Sequence, residues 1–300
     1  MRRGLFAIAG LALVAALAVP TAVQARAGAR AARAFPIHLH AHQLAPLDGA
    51  FYELWTVFGS QKLSAGAFNV DEDGNLVDGF GHPARFFSTR NPAHADALVV
   101  TVEPSPDPDL GPSGIAILVG SPHRHRAPLS FPANVSNVAG SFILATPTDQ
   151  SMSDETSGLW FLDPTAGPGP SLSLPTLPSG WVWEGWGVTQ GVPLSSGRFT
   201  QASGADRSAQ FSGPLAGPPF PGEDFLTGLP AGVTSPVNLA DGSSMAVVTI
   251  EPDLNGNDPT GPGPFSIKPL AAAISPGAAD HTSIMLHRDL STVPSGAATF

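Results

Sequence analysis

The sequence predicts an all-β protein built from two tandem β-sandwich (Ig-like) domains, and three observations lead to this fold class. Short apolar runs of strand length, rich in β-branched residues, are bounded throughout by Gly, Pro, Asp or Asn. No window beyond the amino-terminal segment sustains the spacing of an amphipathic helix. A long segment also recurs without gaps, which indicates an internal duplication.

The repeated segment begins at position 52 and returns 131 positions later, at position 183. Its matched residues are aromatic, acidic or glycine, and they pair as Tyr52 with Trp183, Glu53 with Glu184, Trp55 with Trp186, Gly66 with Gly197 and Phe68 with Phe199. A second match, Val-Val-Thr-Val-Glu103-Pro against Val-Val-Thr-Ile-Glu251-Pro, lies 148 positions apart, so the second copy carries 17 extra residues. We place this excess within residues 213–236, where the prolines predict an exposed loop near residues 218–225.

The amino-terminal residues 1–25 have the pattern of a secretory signal peptide. Arg2 and Arg3 precede an apolar run, and small residues lead to a cleavage point after Ala25. The run is short for a bilayer core of roughly 30 Å, although an uncleaved anchor is the alternative. We therefore expect an extracytoplasmic protein (periplasmic, cell-surface or secreted) with a flexible basic tail over residues 26–35 and no transmembrane segment after cleavage.

The repeat divides the rest of the chain into two domains. The first occupies residues 36–120 and the second residues 140–276, each with its own core, and a linker over 121–139 lies between them. The tail over 277–300 is predicted to add one strand at 283–287 and then to fray. Each copy is predicted to open with a strand (36–44 and 171–177), followed by the hairpin that carries the repeated aromatic motif. Two further strands within residues 140–163 belong to neither copy.

The charge balance excludes two classes of partner. Five of the 14 basic residues precede residue 34, which leaves nine against 24 acidic residues. Such an acidic surface disfavours nucleic acid and anionic membranes as partners. The chain has no cysteine, so its stability depends on buried apolar area without help from disulfides.

The motif order of the first copy resembles the extracytoplasmic C-terminal domain of anti-sigma-K factors. The resemblance covers residues 44–120 and rests on Tyr-Glu-Leu-Trp55, Leu-Ser-Ala-Gly66-Ala-Phe, Val-Thr-Val-Glu103-Pro and a final Ile-Leu-Val-Gly120. The second copy keeps these motifs in part but departs from them through its insertion. The resemblance implies an extracytoplasmic interaction or sensing domain. The predicted signal peptide stands where family members have a sigma-binding domain and a membrane helix, so we do not expect direct sigma-factor sequestration.

Two groups of residues are candidate sites. His38, His40 and His42 alternate along the first predicted strand, so their imidazoles share one face and form either a Zn, Cu or Ni site or a polar solvent face. Glu53 and Glu184 lie between aromatic residues and are either paired active carboxylates or hydrogen-bonded locks of the two hairpins. We favour the structural interpretation for both glutamates.

No serine-nucleophile, phosphate-binding, dinucleotide-binding or zinc-protease motif occurs in the sequence. We therefore expect a non-enzymatic exported protein without a cofactor, which acts in protein interaction or envelope sensing with an unknown protein or envelope partner. A secreted module that binds a metal or small ligand through the three histidines is the alternative function.

Overall fold

The computed structural model describes residues 34–151, 153 and 155–300. The signal peptide and nearly all of the basic tail predicted from the sequence therefore lie outside the described residues. Within the described part, β-strands dominate, the only helices are the short 3₁₀ turns Pro92–His94 and Leu239–Asp241, and all strand pairs are antiparallel. The all-β prediction is confirmed. None of the described helices has the length and apolar character needed to cross a membrane.

The first eight strands precede residue 131. They are β1 (Phe35–His42), β2 (Ala50–Phe58), β3 (Gln61–Val70), β4 (Leu76–Val77), β5 (Phe86–Ser88), β6 (Ala97–Pro104), β7 (Ala116–Gly120) and β8 (Arg126–Ser130).

The remaining strands are β9 (Ala139–Leu144), β10 (Gly158–Trp160), β11 (Leu162–Asp163), β12 (Gly169–Pro170), β13 (Leu172–Ser173), β14 (Trp181–Thr189), β15 (Val192–Phe199), β16 (Gly222–Asp224), β17 (Met245–Pro252), β18 (Leu270–Ala273), β19 (Ile284–Met285), β20 (His287–Arg288) and β21 (Ser295–Thr299).

Nine strands form the largest sheet, in the order β4-β3-β2-β6-β7-β8-β21-β1-β5. The sheet curls so that its last strand lies against its second, where the Phe68 and Phe86 rings meet edge to face at 5.3 Å. Alternate residues of β1, including Ile37 and Leu39, point into the space enclosed by this curl and are buried. The first predicted strand and the first hairpin are thus present.

The second half of the described chain is a sandwich of two five-stranded sheets. One has the order β15-β14-β17-β18-β20, and the other joins β13, β9, β10 and β16, with β19 also paired to β9. Gly185 and Gly187 let the aromatic rings of the facing sheet approach, because a Cβ at these positions would lie only 2.4 Å from Phe161 and 2.6 Å from Phe225. The strands in residues 140–163 that the sequence leaves unassigned therefore supply one layer of this sandwich.

The two repeated segments adopt the same strand arrangement. The strand order β3-β2-β6-β7, which we call the first matched sheet, corresponds to β15-β14-β17-β18, the second matched sheet. In the hairpins Tyr52 pairs with Phe68 and Trp183 with Phe199, and the register shifts directly before Trp55 and directly before Trp186. The correspondence extends to the backbone, because the strand pairing is interrupted at the same point in both hairpins.

Several segments differ from the sequence-based expectation. Residues 121–139, predicted as a linker, contain β8. In residues 277–300 the strand predicted over 283–287 is present as β19 and β20, whereas the predicted fraying after it is wrong, because β21 pairs with both β1 and β8. The strand predicted over residues 171–177 is reduced to β13, which pairs with β9 rather than with the second matched sheet.

The prediction of an exposed loop near residues 218–225 is wrong. Residues 220–225 are buried, and residues 222–224 form β16, which pairs with β10. The prolines stop before the strand, so they remove no donor from it. Phe220 and Phe225 supply apolar area, and Ser212 and Trp160 donate to the acidic side chains, which lowers the cost of burying this segment.

The described residues Ala34–Phe300 form one compact unit. The main hydrophobic core contains residues of both matched sheets, and a smaller cluster of Ile143, Ala145, Trp160, Leu162 and Phe220 lies on the outer side of β9 and β10. Trp181 joins the two halves, because its Nε1 donates to the Ala116 carbonyl at 2.9 Å and its ring contacts Phe131 and Phe265. The segment predicted as a linker thus contributes Phe131 to the core that the halves share.

Candidate functional site

The repeated aromatic residues form the inner wall of each matched sheet. Tyr52 and Trp183 are fully buried, and each side chain donates back to the segment before its strand, from Tyr52 Oη to the Ala45 carbonyl at 2.9 Å and from Trp183 Nε1 to the Pro175 carbonyl at 3.2 Å. Phe68 stacks on Tyr52 at 5.4 Å. Phe199, the counterpart of Phe68, is also buried. These motif residues therefore serve packing.

The two motif glycines occupy backbone conformations that side chains disfavour. Gly66 has φ of 147° and Gly197 has φ of 114°. A Cβ at Gly66 would lie 3.1 Å from the Arg85 carbonyl oxygen, and one at Gly197 would lie 2.3 Å from the Asp206 carboxyl group. Both glycines thus permit the register shift and the close approach of a neighbouring segment.

A hydrogen-bond relay runs across each matched sheet from a tryptophan to a glutamate. In the first, Trp55 Nε1 donates to Thr101 Oγ1 at 2.8 Å, and the threonine hydroxyl donates to Glu103. In the second, Trp186 Nε1 donates to Thr249 Oγ1 at 2.9 Å, and that hydroxyl donates to Glu251. The second motif of the repeat, Thr-x-Glu-Pro, therefore lies beside the first because the strands pair.

The hairpin glutamates lie next to these relays and accept a hydroxyl from the adjacent strand. Ser64 donates to Glu53 Oε1, and Ser195 donates to Glu184 Oε1 at 2.5 Å. Burial raises the pKa of both glutamates above the ordinary value, and the serine bonds act in the opposite direction. Each glutamate therefore joins the two strands of its hairpin.

Three carboxylates gather on each matched sheet. We call Glu53, Glu103 and Asp107 the first cluster and Glu184, Glu251 and Asp258 the second cluster. Within each, the aspartate from the following loop raises the pKa of both glutamates through its negative charge, in addition to the larger effect of burial. Burial raises the pKa of Glu251 to about 8. The two copies thus share a constellation as well as a backbone.

The clusters differ in the presence of a cation. Arg198 lies in the second cluster, where its Nε donates to Glu184 Oε2 at 2.9 Å and its Nη2 donates to Asp258 Oδ2 at 2.5 Å. The guanidinium group is largely buried, with 18% of the side chain exposed. In the first hairpin the position paired with the glutamate holds Ala67, which is exposed. No ion pair involves the first cluster among the residues that the structure describes.

The histidines predicted as metal ligands lie together but are open to solvent. His38, His40 and His42 project from the exposed face of β1, opposite Ile37 and Leu39. Strand β1 pairs with β21 through residues 38–42 and with β5 through residues 35–37. The cation Arg126 lines the same shallow surface as His40 and His42. In residues 34–151, 153 and 155–300, no group of three or more His, Asp or Glu side chains is placed to hold a metal ion.

Sequence reasoning missed a third group of acids, which surrounds β16. Asp224 accepts from Thr148 Oγ1 at 2.5 Å, from the Thr148 amide at 2.7 Å and from Trp160 Nε1 at 2.7 Å. Glu223 accepts from Ser212, while its Oε2 is buried without a partner in the described structure. The neighbouring aromatic pair, Phe220 and Phe225, was the only sequence signal that this acidic segment is internal.

A cavity of about 290 Å³ lies beside this group, lined in part by Asp206, Ser208, Ser212 and Trp160. Burial raises the pKa of Asp206 to about 7, although its carboxylate accepts from the amides of Gly222 and Ser208. A Cβ at Gly217 would lie 2.4 Å from the Trp160 ring and one at Gly222 2.5 Å from it. The close backbone leaves no room for a flat ligand to stack on the indole.

No protein-family model matches this chain, and comparisons with curated proteins and with solved structures gave no match. The functional argument therefore depends on the geometry of the clusters.

Proposed function

We propose that this chain is an exported, non-enzymatic binding protein whose first matched sheet contacts a protein partner. The observation that carries the proposal is the contrast between the two clusters. The second is closed by the chain's own Arg198, whereas the first has the same glutamates and no cation. A surface that keeps half-buried carboxylates without a counter-ion is suited to charged recognition, because complementary charge favours association and discriminates between partners.

The proposal includes an origin by duplication of a β-sandwich unit. The matched strand order, the shared register and the same register shift before each tryptophan support it. It also includes a relationship to the extracytoplasmic C-terminal domain of anti-sigma-K factors and an extracytoplasmic location, which rest on the sequence motifs alone. In this proposal the protein acts in envelope sensing or regulation through contact with another protein.

Site-specific photo-crosslinking tests the proposed contact. A benzoylphenylalanine at Ala67 reports on the first cluster, and the same residue at Met285, which is 62% exposed and lies in β19 outside the first matched sheet, is the matched control. We expect a discrete protein adduct in cells that make the protein from position 67 and none of that mass from position 285. If neither position gives an adduct, or both give the same one, the first matched sheet is not a specific binding surface.

A further inference from the structure

We propose that the first cluster is a docking site for an arginine side chain presented by a partner protein. This inference rests on the proposed function and names the chemical group that the binding surface recognises. The matched copy supplies the template, because the same fold position in the second cluster already holds a guanidinium group.

The second cluster shows how the guanidinium is held. Arg198 uses two different nitrogens to contact two different carboxylates, Glu184 from the central strand and Asp258 from the loop after β17. A guanidinium offers five N–H donors in one plane, so it can bridge acceptors that lie on either side of it. A lysine ammonium is a compact point charge without this fork, and it is the poorer fit to two separated carboxylates.

The first cluster keeps the acceptors. Glu53 occupies the place of Glu184 in the register of the hairpin. Asp107 lies in the loop after β6, as Asp258 lies in the loop after β17, and its charge contributes to the raised pKa of Glu53 and Glu103. Glu103, fully buried, forms the floor and is held by Thr101 and the Ser113 amide. The first copy thus has carboxylates on the same strand and in the same following loop as the second, whereas the position of Arg198 holds the methyl group of Ala67.

The first cluster is also open. Ala67 and Ser64 are exposed, and Glu53 and Asp107 are half-buried. A partner side chain can therefore approach from the direction that Arg198 takes in the second copy. Partly buried carboxylates gain more from a charged hydrogen-bond donor than exposed ones, because water competes less well for them.

Binding of a small arginine probe tests the proposal. The probe is acetyl-Gly-Arg-Gly-amide, and the lysine and citrulline analogues are its controls, measured by NMR titration of the protein from which residues 1–33 have been removed and of the full chain. We expect saturable binding with a dissociation constant of about 1 mM, which is the affinity of roughly 4 kcal/mol, and at least tenfold weaker binding of both analogues. Equal binding of the lysine probe would show only general attraction between opposite charges and would overturn the proposal.

Two substitutions locate the site. Glu53→Gln should weaken arginine binding at least tenfold, and Ala67→Arg should abolish it because the chain then fills its own site. Ser60→Arg, which adds the same charge at an exposed turn of the same hairpin, is the control and should bind as the parent does. Undiminished binding to the Ala67→Arg protein would refute the assignment.

A third substitution tests the template. Arg198→Ala should open the second cluster, so that the number of arginine probes bound rises from one to two and the guanidinium ion restores part of the lost stability. An unchanged stoichiometry contradicts the equivalence of the clusters.

If only the shortened protein binds the probe, the chain's own basic segment occupies the site and the partner is excluded. If the probe does not bind and the crosslink at position 67 persists, the proposed function stands and the arginine inference fails.

Discussion

Glu103 and Glu251 occupy equivalent positions of the repeat but have different chemical surroundings, and Glu251 is the more strongly perturbed of the two. This side chain is fully buried, accepts from Thr249 and the Phe265 amide, and has one oxygen without a partner in the described structure. Burial favours the neutral acid and raises the pKa to about 8, with Glu184 and Asp258 adding to the rise. The protonated form is therefore part of the folded state near neutral pH.

Stability is expected to fall as pH rises. Between the ordinary glutamate pKa of about 4.5 and the folded value near 8, the folded state holds a proton that the unfolded state has released. The contribution of Glu251 is therefore complete below pH 4.5 and is lost as pH rises through 8, at up to about 1.4 kcal/mol per pH unit. Urea unfolding at pH 5, 6.5 and 8 measures this slope.

Glu251→Gln should flatten the slope without removing it. Asp206, with a raised pKa of about 7, acts in the same direction and remains in the variant. Glu53→Gln is the matched control, since Glu53 is only half-buried and changes the slope less. Identical slopes for the parent and Glu251→Gln would show that Glu251 is ionised in the folded protein.

The sequence predicted the motif residues of both relays, but it did not predict that their carboxylates gather into clusters. The motif residues from Tyr52 to Phe68 and from Trp183 to Phe199 lie where the repeat requires. The cluster is formed by pairing of β2 with β6 and of β14 with β17, and its carboxylates come from segments about 50 to 70 positions apart. The acids at β16 were missed because proline and acidic residues usually indicate exposure, and only the fold brings Thr148, Ser212 and Trp160 to them.

At the scale of the element, β21 is one of the strands that the sequence failed to predict. Its residues Ser-Gly-Ala-Ala-Thr are small and carry little of the apolar alternation that indicates a strand. It nevertheless pairs with β8 on one side and β1 on the other, and Ala298 is fully buried. Small side chains suit a strand that is covered closely on both sides.

Gly296 is a position of β21 that has no room for a side chain. A Cβ there would lie 2.5 Å from the His40 carbonyl oxygen, a backbone atom that cannot move without shifting β1. We expect Gly296→Ala to lower the free energy of unfolding by about 1 to 3 kcal/mol, as for other forced insertions into packed structure. Gly263→Ala is the control, because nothing lies within 4 Å of its added Cβ, and it should change stability by less than about 0.5 kcal/mol. Equal midpoints for the two variants in chemical denaturation would mean that β21 does not pair closely with β1.

At the scale of the molecule, the two matched sheets share one hydrophobic core. The sequence predicted two domains with separate cores, because the repeat is plain in the sequence whereas the contacts that join its copies are not. Trp181, Phe131 and Phe265 form such a contact. Periodicity along a chain does not show which faces of two sheets meet.

A shared core predicts a single cooperative unfolding transition. Trp186→Ala removes a buried indole and its bond to Thr249, which should cost about 3 to 5 kcal/mol and shift the whole transition to lower temperature. Differential scanning calorimetry of the parent and the variant measures this, with Trp55→Ala as the matched substitution in the other copy. Two separable transitions, of which only one moves, would show that the halves are energetically independent.

The pairing of β1 with β21 has a consequence for the order in which the protein is made. Residues 38–42 leave the ribosome early, yet their partners at 295–299 are synthesised more than 250 residues later. Until then the curled sheet is open between β8 and β1, and the nascent chain lacks a closed first half. Contacts between such distant segments form slowly, because the intervening chain must first be brought together. Closure of the nine-stranded sheet therefore waits until residues 295–299 have been synthesised.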